Sequence, residues 1–468
     1  MGKKIIYQKL KNILGEKKII DNYAERLCFS RDATPLCYKW IDLYDVPPYI
    51  TDIVCKPDNV KDLKKIIKIA TKDKINLNIY GGGSGVVGGV IPVKGGITID
   101  MSKMDRIINL DTTSFTVEVE SGIIGQSLEE YLNKNGFTLR HFPQSLRSAS
   151  IGGFISTKST GQFSTYYGGI ENFVVNLEVL LPNGLILKTS DSPRSSTGPD
   201  LNNLFIGSEG IFGVITKSVL KIFKIPELSK FECFIFEDIY SALNAIKTLL
   251  QSGIKPPVVR LYNKKESELK FSSLGLNLQG CLLITCYEGL KELVETERNL
   301  GIKICKQFKG REIGSELGEL WYKNRFDTKH IMEQLEKFGG MSDAIEISAS
   351  WSKINNIYKN IENYFMEKKM ELASHFSHAY VNGISSYNIF YDTKINEKEA
   401  IKSFYKIWND IMDITLQNGG SISHHHGIGM IKNVKLKKEL KEGYNLIKAL
   451  KNYLDPDSIF NQKKLIKS

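Results

Sequence analysis

Two segments of this chain contain residues suited to chemistry, and they lie far apart in the sequence. The first, Gly81-Gly-Gly-Ser-Gly-Val-Val-Gly-Gly89, follows the apolar stretch Ile75–Tyr80. Glycine lacks a Cβ atom, so a ligand can approach main-chain N–H groups that cradle phosphate oxygens. The second, Ser423-His-His-His-Gly-Ile-Gly429, carries imidazoles that titrate near neutral pH and can transfer protons or hydrogen-bond to substrate oxygens. The two segments predict a bulky anionic ligand and a centre of proton chemistry.

Each segment also has an alternative interpretation. Gly83, Gly85 and Gly88 have the spacing of a dinucleotide fingerprint, but that motif requires a helix to open at the loop. Val90–Asp100 instead contains Pro92 and alternates like a strand, which argues against a Rossmann fold. Three consecutive histidines cannot all point the same way in an extended chain, so we assign no metal site.

Two further clusters of glycine and hydroxyl residues follow the first loop. One occupies 150–169 and includes Ser150–Gly161, which we predict as a strand followed by a glycine-rich loop. The other is Leu204–Thr216. Three such loops in one α+β region predict the walls of a single elongated ligand site.

Hydrophobic periodicity divides the chain into four parts. The first half is predicted to contain a helix at Asp58–Ala70 capped by Asp58, the strand Ile75–Tyr80, a strand-like stretch Ile107–Val119 and a helix at Ser127–Asn135. After a break near Pro226 a second α+β unit is predicted, with a strand at Phe231–Phe236, a helix at Ile239–Leu250, strands near 257–262 and 281–287, and then long helices. The predicted domains are an N-terminal segment (1–45), a ligand-binding domain (46–225), a cap domain (226–414) and a returning C-terminal segment (415–468).

Composition limits the function classes. The 468 residues are 42% hydrophobic and 25% charged with a net charge of +11, and no apolar run is long enough to span a bilayer. Seven cysteines without a CxxC pair and the absence of a signal-peptide pattern predict free thiols in the cytosol. Lysines spread along the chain favour an anionic substrate or lipid surface over nucleic acid, since no nucleic-acid motif is present.

The glycine-rich motifs, in this order, resemble those of the flavoprotein family of vanillyl-alcohol oxidase type. They are Tyr80-Gly-Gly-Gly-Ser-Gly85, Ser150-Ile-Gly-Gly-Phe-Ile-Ser-Thr157, Gly207-Ser-Glu-Gly-Ile-Phe-Gly-Val-Ile215 and Leu454-Asp-Pro-Asp-Ser-Ile-Phe460. The resemblance implies an α+β fold with a two-subdomain FAD-binding domain, an α+β cap and a C-terminal segment that completes the active site. No histidine lies between Tyr80 and Gly89, so we expect FAD to be bound without a covalent link.

The same resemblance assigns cofactor-binding residues to the three loops. They are Gly81, Gly82, Gly83, Ser84, Gly85 and Val86 in the first loop, Pro143, Ser145, Ser150, Gly152, Gly153, Ser156, Thr157 and Ser159 in the second, and Glu209, Gly210, Gly213, Val214 and Ile215 in the third.

Within that family the chain is most similar to the alkyldihydroxyacetonephosphate synthases, which exchange the acyl chain of acyl-dihydroxyacetonephosphate for a fatty alcohol. The motifs that carry this similarity are Pro193-Arg-Ser-Ser-Thr-Gly-Pro-Asp200, Gly161–Asn172, Val259-Arg-Leu-Tyr262 and the triple histidine. The resemblance implies that Tyr387 transfers a proton, that His424, His425, His426 and Arg260 stabilise oxyanions, and that Arg325 binds the substrate phosphate. Burial in the core for Tyr387 and a structural salt bridge for Arg260 are the alternative interpretations.

An FAD-dependent 2-hydroxyacid dehydrogenase of glycolate or D-lactate type is the second hypothesis. Such enzymes carry glutamate where this chain has His425, and a histidine metal ligand where the stretch Ser377–Tyr387 ends in tyrosine. The differences remove the carboxylate and imidazole ligands of a metal site, and therefore favour the synthase hypothesis. The synthase hypothesis predicts a lipid substrate, and the sequence is compatible with contact at a membrane surface and with a homodimer.

Overall fold

The first sheet carries the first glycine-rich loop. The computed structural model of the chain describes residues 3–272, 277–327, 341–392 and 397–466. The first sheet has four strands, and the strands at 53–55 and 77–80 both run parallel to the central strand at 97–100 that lies between them. Its strands are β1 (Ile19–Ile20), β2 (Ile53–Cys55), β3 (Leu77–Tyr80) and β4 (Ile97–Asp100), and the accompanying helices are α1 (Lys3–Leu14), α2 (Tyr23–Cys28), α3 (Pro35–Tyr44) and α4 (Val60–Asp73).

Helix α4 shows how the sequence pattern forms this layer. Leu63, Ile66 and Ile67 recur at helical spacing and are buried in the core beside the sheet. The helix begins slightly later than predicted, because Asn59 is the N-cap instead of Asp58 and accepts a hydrogen bond from the Asp62 N–H at 2.9 Å.

The second sheet is five-stranded and entirely antiparallel, in the order β5-β6-β10-β8-β9. Its strands are β5 (Ile107–Asp111), β6 (Thr116–Glu120), β8 (Val174–Leu180), β9 (Ile186–Lys188) and β10 (Val214–Lys221), and a separate ribbon joins β7 (Phe137–Thr138) to β11 (Phe223–Lys224). The helices of this region are α5 (Gly125–Lys134), α6 (Ile151–Thr157), α7 (Ser164–Tyr167) and α8 (Asn202–Phe205). The stretch Ile107–Val119 is therefore a hairpin and not one strand.

The prediction of a strand in Ser150–Gly161 is wrong, because residues 151–157 form helix α6. Ile151, Phe154 and Ile155 have the i, i+3, i+4 spacing of a helix and are buried, and the Ser150 side chain caps the helix by accepting from the Gly153 N–H at 3.2 Å. The glycine content concealed this short helical pattern.

The third sheet is seven-stranded, with the order β15-β12-β14-β13-β17-β18-β16 and antiparallel pairing throughout. Its strands are β12 (Leu228–Phe236), β13 (Val258–Tyr262), β14 (Cys281–Gly289), β15 (Arg311–Glu312), β16 (Met341–Ser350), β17 (Glu371–Tyr380) and β18 (Gly383–Asp392). The remaining helices are α9 (Ile239–Gln251), α10 (Lys264–Ser272), α11 (Lys291–Gln307), α12 (Glu316–Asn324), α13 (Trp351–Glu367), α14 (Glu397–Gln417), α15 (Asn433–Leu440) and α16 (Glu442–Leu454). The sequence did not predict β16, β17 and β18, which lie among the long helices expected there.

Both ends of the chain return to the first loop. Leu77 of β3 donates its N–H to the Ile459 carbonyl at 2.7 Å and accepts from the Asn461 N–H at 2.8 Å, so the C-terminal segment extends the first sheet. Near the N-terminus, Leu36 and Trp40 are buried in the same core as Val87 of the loop and the helices that pack on the third sheet. Across the described ranges, no helix is long and apolar enough to cross a membrane.

Candidate active site

A cavity of about 1220 Å³ lies between the three glycine-rich loops, the third sheet and the C-terminal segment. Pockets for small ligands usually enclose about 300–1,000 Å³, so this one has room for a large elongated ligand and a second molecule. The three loops, which were predicted to form the walls of one ligand site, line the same cavity. All of the predicted cofactor-binding residues line it except Val214, whose side chain packs in the core beside the first sheet.

The first loop passes so close to its neighbours that side chains are excluded. A Cβ atom on Gly82 would lie 1.8 Å from the Ser148 carbonyl oxygen, and Gly83 has a φ of +64°. The loop is held from behind by Asp32, whose carboxylate accepts from the Gly88 N–H at 2.7 Å. Within the described residues, the N–H groups of 82–86 have no protein acceptor, so they are available to a ligand in the cavity.

The second loop and helix α6 add hydroxyl groups to the same wall. Gly152 packs closely on Ser121, because a Cβ atom added to Gly152 would lie 2.8 Å from the Cβ atom of Ser121. The Ser121 hydroxyl faces this wall, is buried, and has no hydrogen-bond partner in the described part of the chain. A buried hydroxyl in that state is costly unless a ligand satisfies it.

Glu209 in the third loop connects the ligand site to the histidine segment. Its carboxylate accepts from the Ile428 N–H at 2.5 Å and the Gly429 N–H at 2.8 Å. Its own carbonyl accepts from the Asn461 amide at 2.5 Å. Glu209 lines the cavity, but its contacts show that it also fastens the third loop to the C-terminal segment.

Tyr387 lies on β18 and lines the part of the cavity that also contains the histidines. The ring of His375, opposite it on β17, stacks on the Tyr387 ring with centroids 4.7 Å apart and planes 17° apart. The rings of His425 and His426 also lie near the Tyr387 ring, at centroid distances of 6.2 and 5.4 Å. Burial, followed by the charges of Asp343 and Glu346, raises the pKa of Tyr387, so the group is a protonated phenol.

The histidine loop is shaped by Glu346, which is buried beneath it. The carboxylate accepts from the N–H groups of His424 and His426 at 2.5 and 3.0 Å, and forms an ion pair with Lys432 at 2.7 Å. Burial acts to raise the pKa of Glu346, but the Lys432 ammonium and the His426 imidazole outweigh it and hold the value at about 2. The glutamate therefore remains charged and fixes the loop.

The three histidines occupy different positions. His425 and His426 line the cavity, whereas His424 lies behind them, with Nε2 2.8 Å from the Tyr380 hydroxyl and Nδ1 3.0 Å from Nδ1 of His425. Burial lowers the pKa of His424 and of His426 to about 4 and lowers that of His425 well below its ordinary value, so the imidazoles are neutral at working pH. A neutral ring nitrogen can accept a proton, and the ring then carries a positive charge until it passes a proton on.

His378 joins this group although the sequence did not indicate it. A register shift between Ser377 and Tyr380 and a φ of +53° at His378 turn its ring toward His424, at a centroid distance of 5.1 Å. Its Nδ1 lies 2.7 Å from the Ser164 hydroxyl, and its ligand nitrogen lies within 4.8 Å of those of His424 and His425. Such nitrogens suit hydrogen bonding or metal coordination, and the assignment of no metal stays a prediction.

The two predicted arginines both reach the cavity. Arg260 donates from Nε to the Tyr262 hydroxyl at 2.7 Å and from Nη2 to His375 Nε2 at 3.0 Å. Among the described residues it has no carboxylate within salt-bridge distance, so the structural salt bridge considered from the sequence is not found. Arg325 rests 3.7 Å from the centre of the Tyr322 ring, and burial lowers the pKa of its guanidinium.

Sequence reasoning missed Glu266, His375, His378 and Glu346 as contributors to the site. One signal was available for two of them: Asn382-Gly383 is a strong hairpin dipeptide, and a hairpin there brings the strand of His375 and His378 against that of Tyr387. Glu266 and Glu346 come from distant elements, and no local pattern marks them.

Family models match both halves of the chain. The model described as the FAD binding domain matches residues 51–190, and the model described as FAD linked oxidases, C-terminal domain, matches residues 225–465. The alkyldihydroxyacetonephosphate synthase of Caenorhabditis elegans is 30% identical, over 97% of this chain and 82% of the relative. The glycolate oxidase subunit GlcD of Bacillus subtilis is 26% identical, over 99% of this chain and 97% of the relative. A solved alkyldihydroxyacetonephosphate synthase structure superposes with a TM-score of 0.83 and 25% identity, covering 98% of this chain and 84% of that one.

Proposed function

Because this chain belongs to the family of FAD-linked oxidases and is an FAD-dependent enzyme, we propose that it exchanges the acyl chain of acyl-dihydroxyacetonephosphate for a fatty alcohol. One observation carries the proposal. Tyr387 is a protonated phenol, and Arg260 is a guanidinium with no carboxylate at salt-bridge distance among the described residues. Both line the same cavity and both contact His375. This arrangement suits proton exchange beside a bound anion.

FAD fits the half of the cavity formed by the three loops. The N–H groups of 82–86 and the Ser121 hydroxyl, which have no partner among the described residues, match the needs of its pyrophosphate and ribityl oxygens. When bound, FAD supplies an electron-accepting ring beside the reacting carbon of the substrate. The residues that would hold it are the loop residues assigned from the sequence, with Ser121 in addition.

The substrate phosphate is held by cations at the other end of the cavity. Arg260 and Arg325 both line the cavity, and a guanidinium binds phosphate oxygens through paired N–H donors. Leu269, Trp321 and Ile389 form an apolar wall nearby that suits the acyl and alkyl chains.

Tyr387 exchanges the proton at C1 of the substrate. Because its phenol is protonated, Oη accepts the C1 proton as it passes its own proton to a neutral imidazole of His425 or His426. The exchange replaces one C1–O bond by another. The fatty acid leaves as a carboxylate with the electron pair of the acyl C1–O bond, and the alcohol oxygen supplies the electron pair of the new C1–O bond. The alcohol proton passes to the site and C1 recovers a proton, so the reaction has no net redox change.

The test is alkyl transfer from labelled fatty alcohol to acyl-dihydroxyacetonephosphate by the holoenzyme. We expect wild-type activity and a loss of at least about 10²-fold in Tyr387→Phe, since the ring remains and only the proton-exchanging oxygen is removed. Tyr391→Phe is the matched control, because Tyr391 lies on the same strand and also lines the cavity. Anaerobic bleaching of the flavin by D-lactate or glycolate, without alkyl transfer, would show a 2-hydroxyacid dehydrogenase instead.

A further inference from the structure

Three side chains from separate elements form a row in the cavity wall. Glu266 of α10 lies 2.8 Å from Nδ1 of His375 on β17, and Nε2 of His375 lies 3.0 Å from Nη2 of Arg260 on β13. Glu266 and His375 are buried, and all three residues line the cavity. We propose that Glu266 and His375 are positioning residues that hold the Arg260 guanidinium ready for the anionic group of the substrate without neutralising its charge. The inference rests on the proposed function only for the identity of that anion.

The chemistry of the three groups fixes the direction of each hydrogen bond. A guanidinium can only donate, so His375 Nε2 must accept from Arg260. The imidazole proton therefore sits on Nδ1, where it donates to the Glu266 carboxylate. Glu266 thus selects the one tautomer of His375 that presents an acceptor to Arg260.

The imidazole between the two charged groups determines what Arg260 can bind. A carboxylate in direct contact with a guanidinium would offset its charge and occupy its paired donors. Here both acceptors of Arg260 are neutral, namely the His375 ring and the Tyr262 hydroxyl, whose pKa burial raises to about 12. The guanidinium is fixed in orientation, while its charge and its other N–H groups remain available to a ligand.

The same histidine sets the distance between the anion site and the reactive phenol. His375 pairs with Tyr387 across β17 and β18, and their rings are stacked. Arg260 pairs with Ser377 on β17, so the guanidinium and the phenol are carried by the two strands that flank β17, namely β13 and β18, in one sheet. A ligand held by Arg260 is consequently placed at a fixed distance from Tyr387.

Two substitutions at one position separate the hydrogen-bonding role of His375 from its packing role. His375→Phe keeps a flat ring against Tyr387 but removes the acceptor for Arg260. His375→Gln loses the ring but offers an amide oxygen to the guanidinium. The measurement is the dissociation constant of dihydroxyacetone phosphate and that of oxalate. Each is obtained from the change that the anion causes in the flavin spectrum of the holoenzyme, so that no turnover is required.

We expect His375→Phe to weaken anion binding about tenfold, the effect of one hydrogen bond to a charged group, and His375→Gln to recover most of that loss. In the exchange assay, the loss in His375→Phe should appear mainly in KM and not in kcat. Glu266→Leu should weaken anion binding as well, whereas Glu268→Leu, on the exposed face of the same helix, should not. Flavin content and melting temperature report whether each variant is folded.

Unchanged binding of both anions by His375→Phe, together with weakened binding by Arg260→Met, would overturn the positioning role. A wild-type enzyme that binds neither anion would overturn it too. A wild-type enzyme that binds oxalate and not dihydroxyacetone phosphate would contradict the proposed function, while the variants would still test the positioning role with oxalate.

Discussion

At the scale of single residues, the buried charges of the site lie on residues other than the phenol and imidazoles proposed to move protons, which stay neutral. Tyr387 is a protonated phenol and the surrounding imidazoles are uncharged, whereas the fixed charges of Glu346, Lys432 and Arg260 lie one contact away. Neutral resting groups avoid the cost of burying unpaired charges in the cavity.

Glu346→Gln tests the support beneath the histidine loop. Removing the carboxylate leaves Lys432 buried without its ion-pair partner, which should lower the free energy of unfolding by about 3–5 kcal/mol at pH 7 and reduce activity. Denaturant titration measures the stability, with Glu237→Gln on the surface as the control. A change below about 0.5 kcal/mol, as at ordinary surface sites, would contradict the assigned role.

The stabilisation by Glu346 also has a defined pH dependence. Its folded pKa of about 2 lies below the ordinary value of 4.5, so its contribution is complete above pH 4.5 and is lost as the pH falls toward 2. The stability difference between wild type and Glu346→Gln should therefore be constant from pH 5 to 7 and shrink below about pH 4.5. A difference that grew on acidification would contradict this sign.

At the scale of elements, local patterns predicted the first glycine-rich loop and the elements beside it more reliably than the strands around Tyr387. Helix α4, strand β3 and the glycine loop follow from local sequence patterns, because each pattern lies within a single short segment of the chain. The partners of Tyr387 depend on pairing between strands that the sequence did not reveal, apart from Asn382-Gly383. Glu266 and Arg260 show the limit most clearly, since only the sheet brings them to the two sides of one imidazole.

Glu209 provides a prediction about how the elements are joined. Its two carboxylate oxygens accept from the N–H groups of Ile428 and Gly429, and an amide in Glu209→Gln can accept only one of them. We expect the variant to lose FAD at least about tenfold more readily, because the third loop is released from the C-terminal segment. Flavin release during dilution measures this, and retention equal to that of wild type would argue against the fastening role.

At the scale of the whole molecule, the cofactor site draws on segments from both ends of the chain. Loop residues near position 85, helix α6 and Glu209 meet at one cavity with Asn461. No histidine lies within the first loop, so we expect acid precipitation to release FAD into the supernatant. Flavin that remained with the precipitate would show a covalent link.

Removal of metal tests the histidine cluster as a whole. The prediction of no metal means that dialysis against a chelator should leave activity and the flavin spectrum unchanged, despite the closeness of His378, His424 and His425. Elemental analysis of the purified enzyme provides the second measurement. One equivalent of zinc, together with activity that returned only on adding zinc, would overturn the assignment.

The net charge of +11 leads to a prediction about membranes. Long-chain substrates reside in bilayers, and basic residues near an anionic surface contribute roughly 1 kcal/mol each. We expect the enzyme to sediment with phosphatidylserine vesicles at low salt and to be released as ionic strength rises. Neutral phosphatidylcholine vesicles are the control, and equal binding to both would exclude the electrostatic mechanism.

The pairing of β3 with residues 459–461 also determines when the enzyme can form during synthesis. Asn461 accepts from the Ile79 N–H and donates to the Glu209 carbonyl, and Lys464 donates to the Ile91 carbonyl. These contacts close the wall of the site beside strand β3, which the ribosome completes nearly four hundred residues earlier. A nascent chain can therefore fold its early helices and strands during translation, but it gains a finished cofactor site only after residues near 464 leave the exit tunnel.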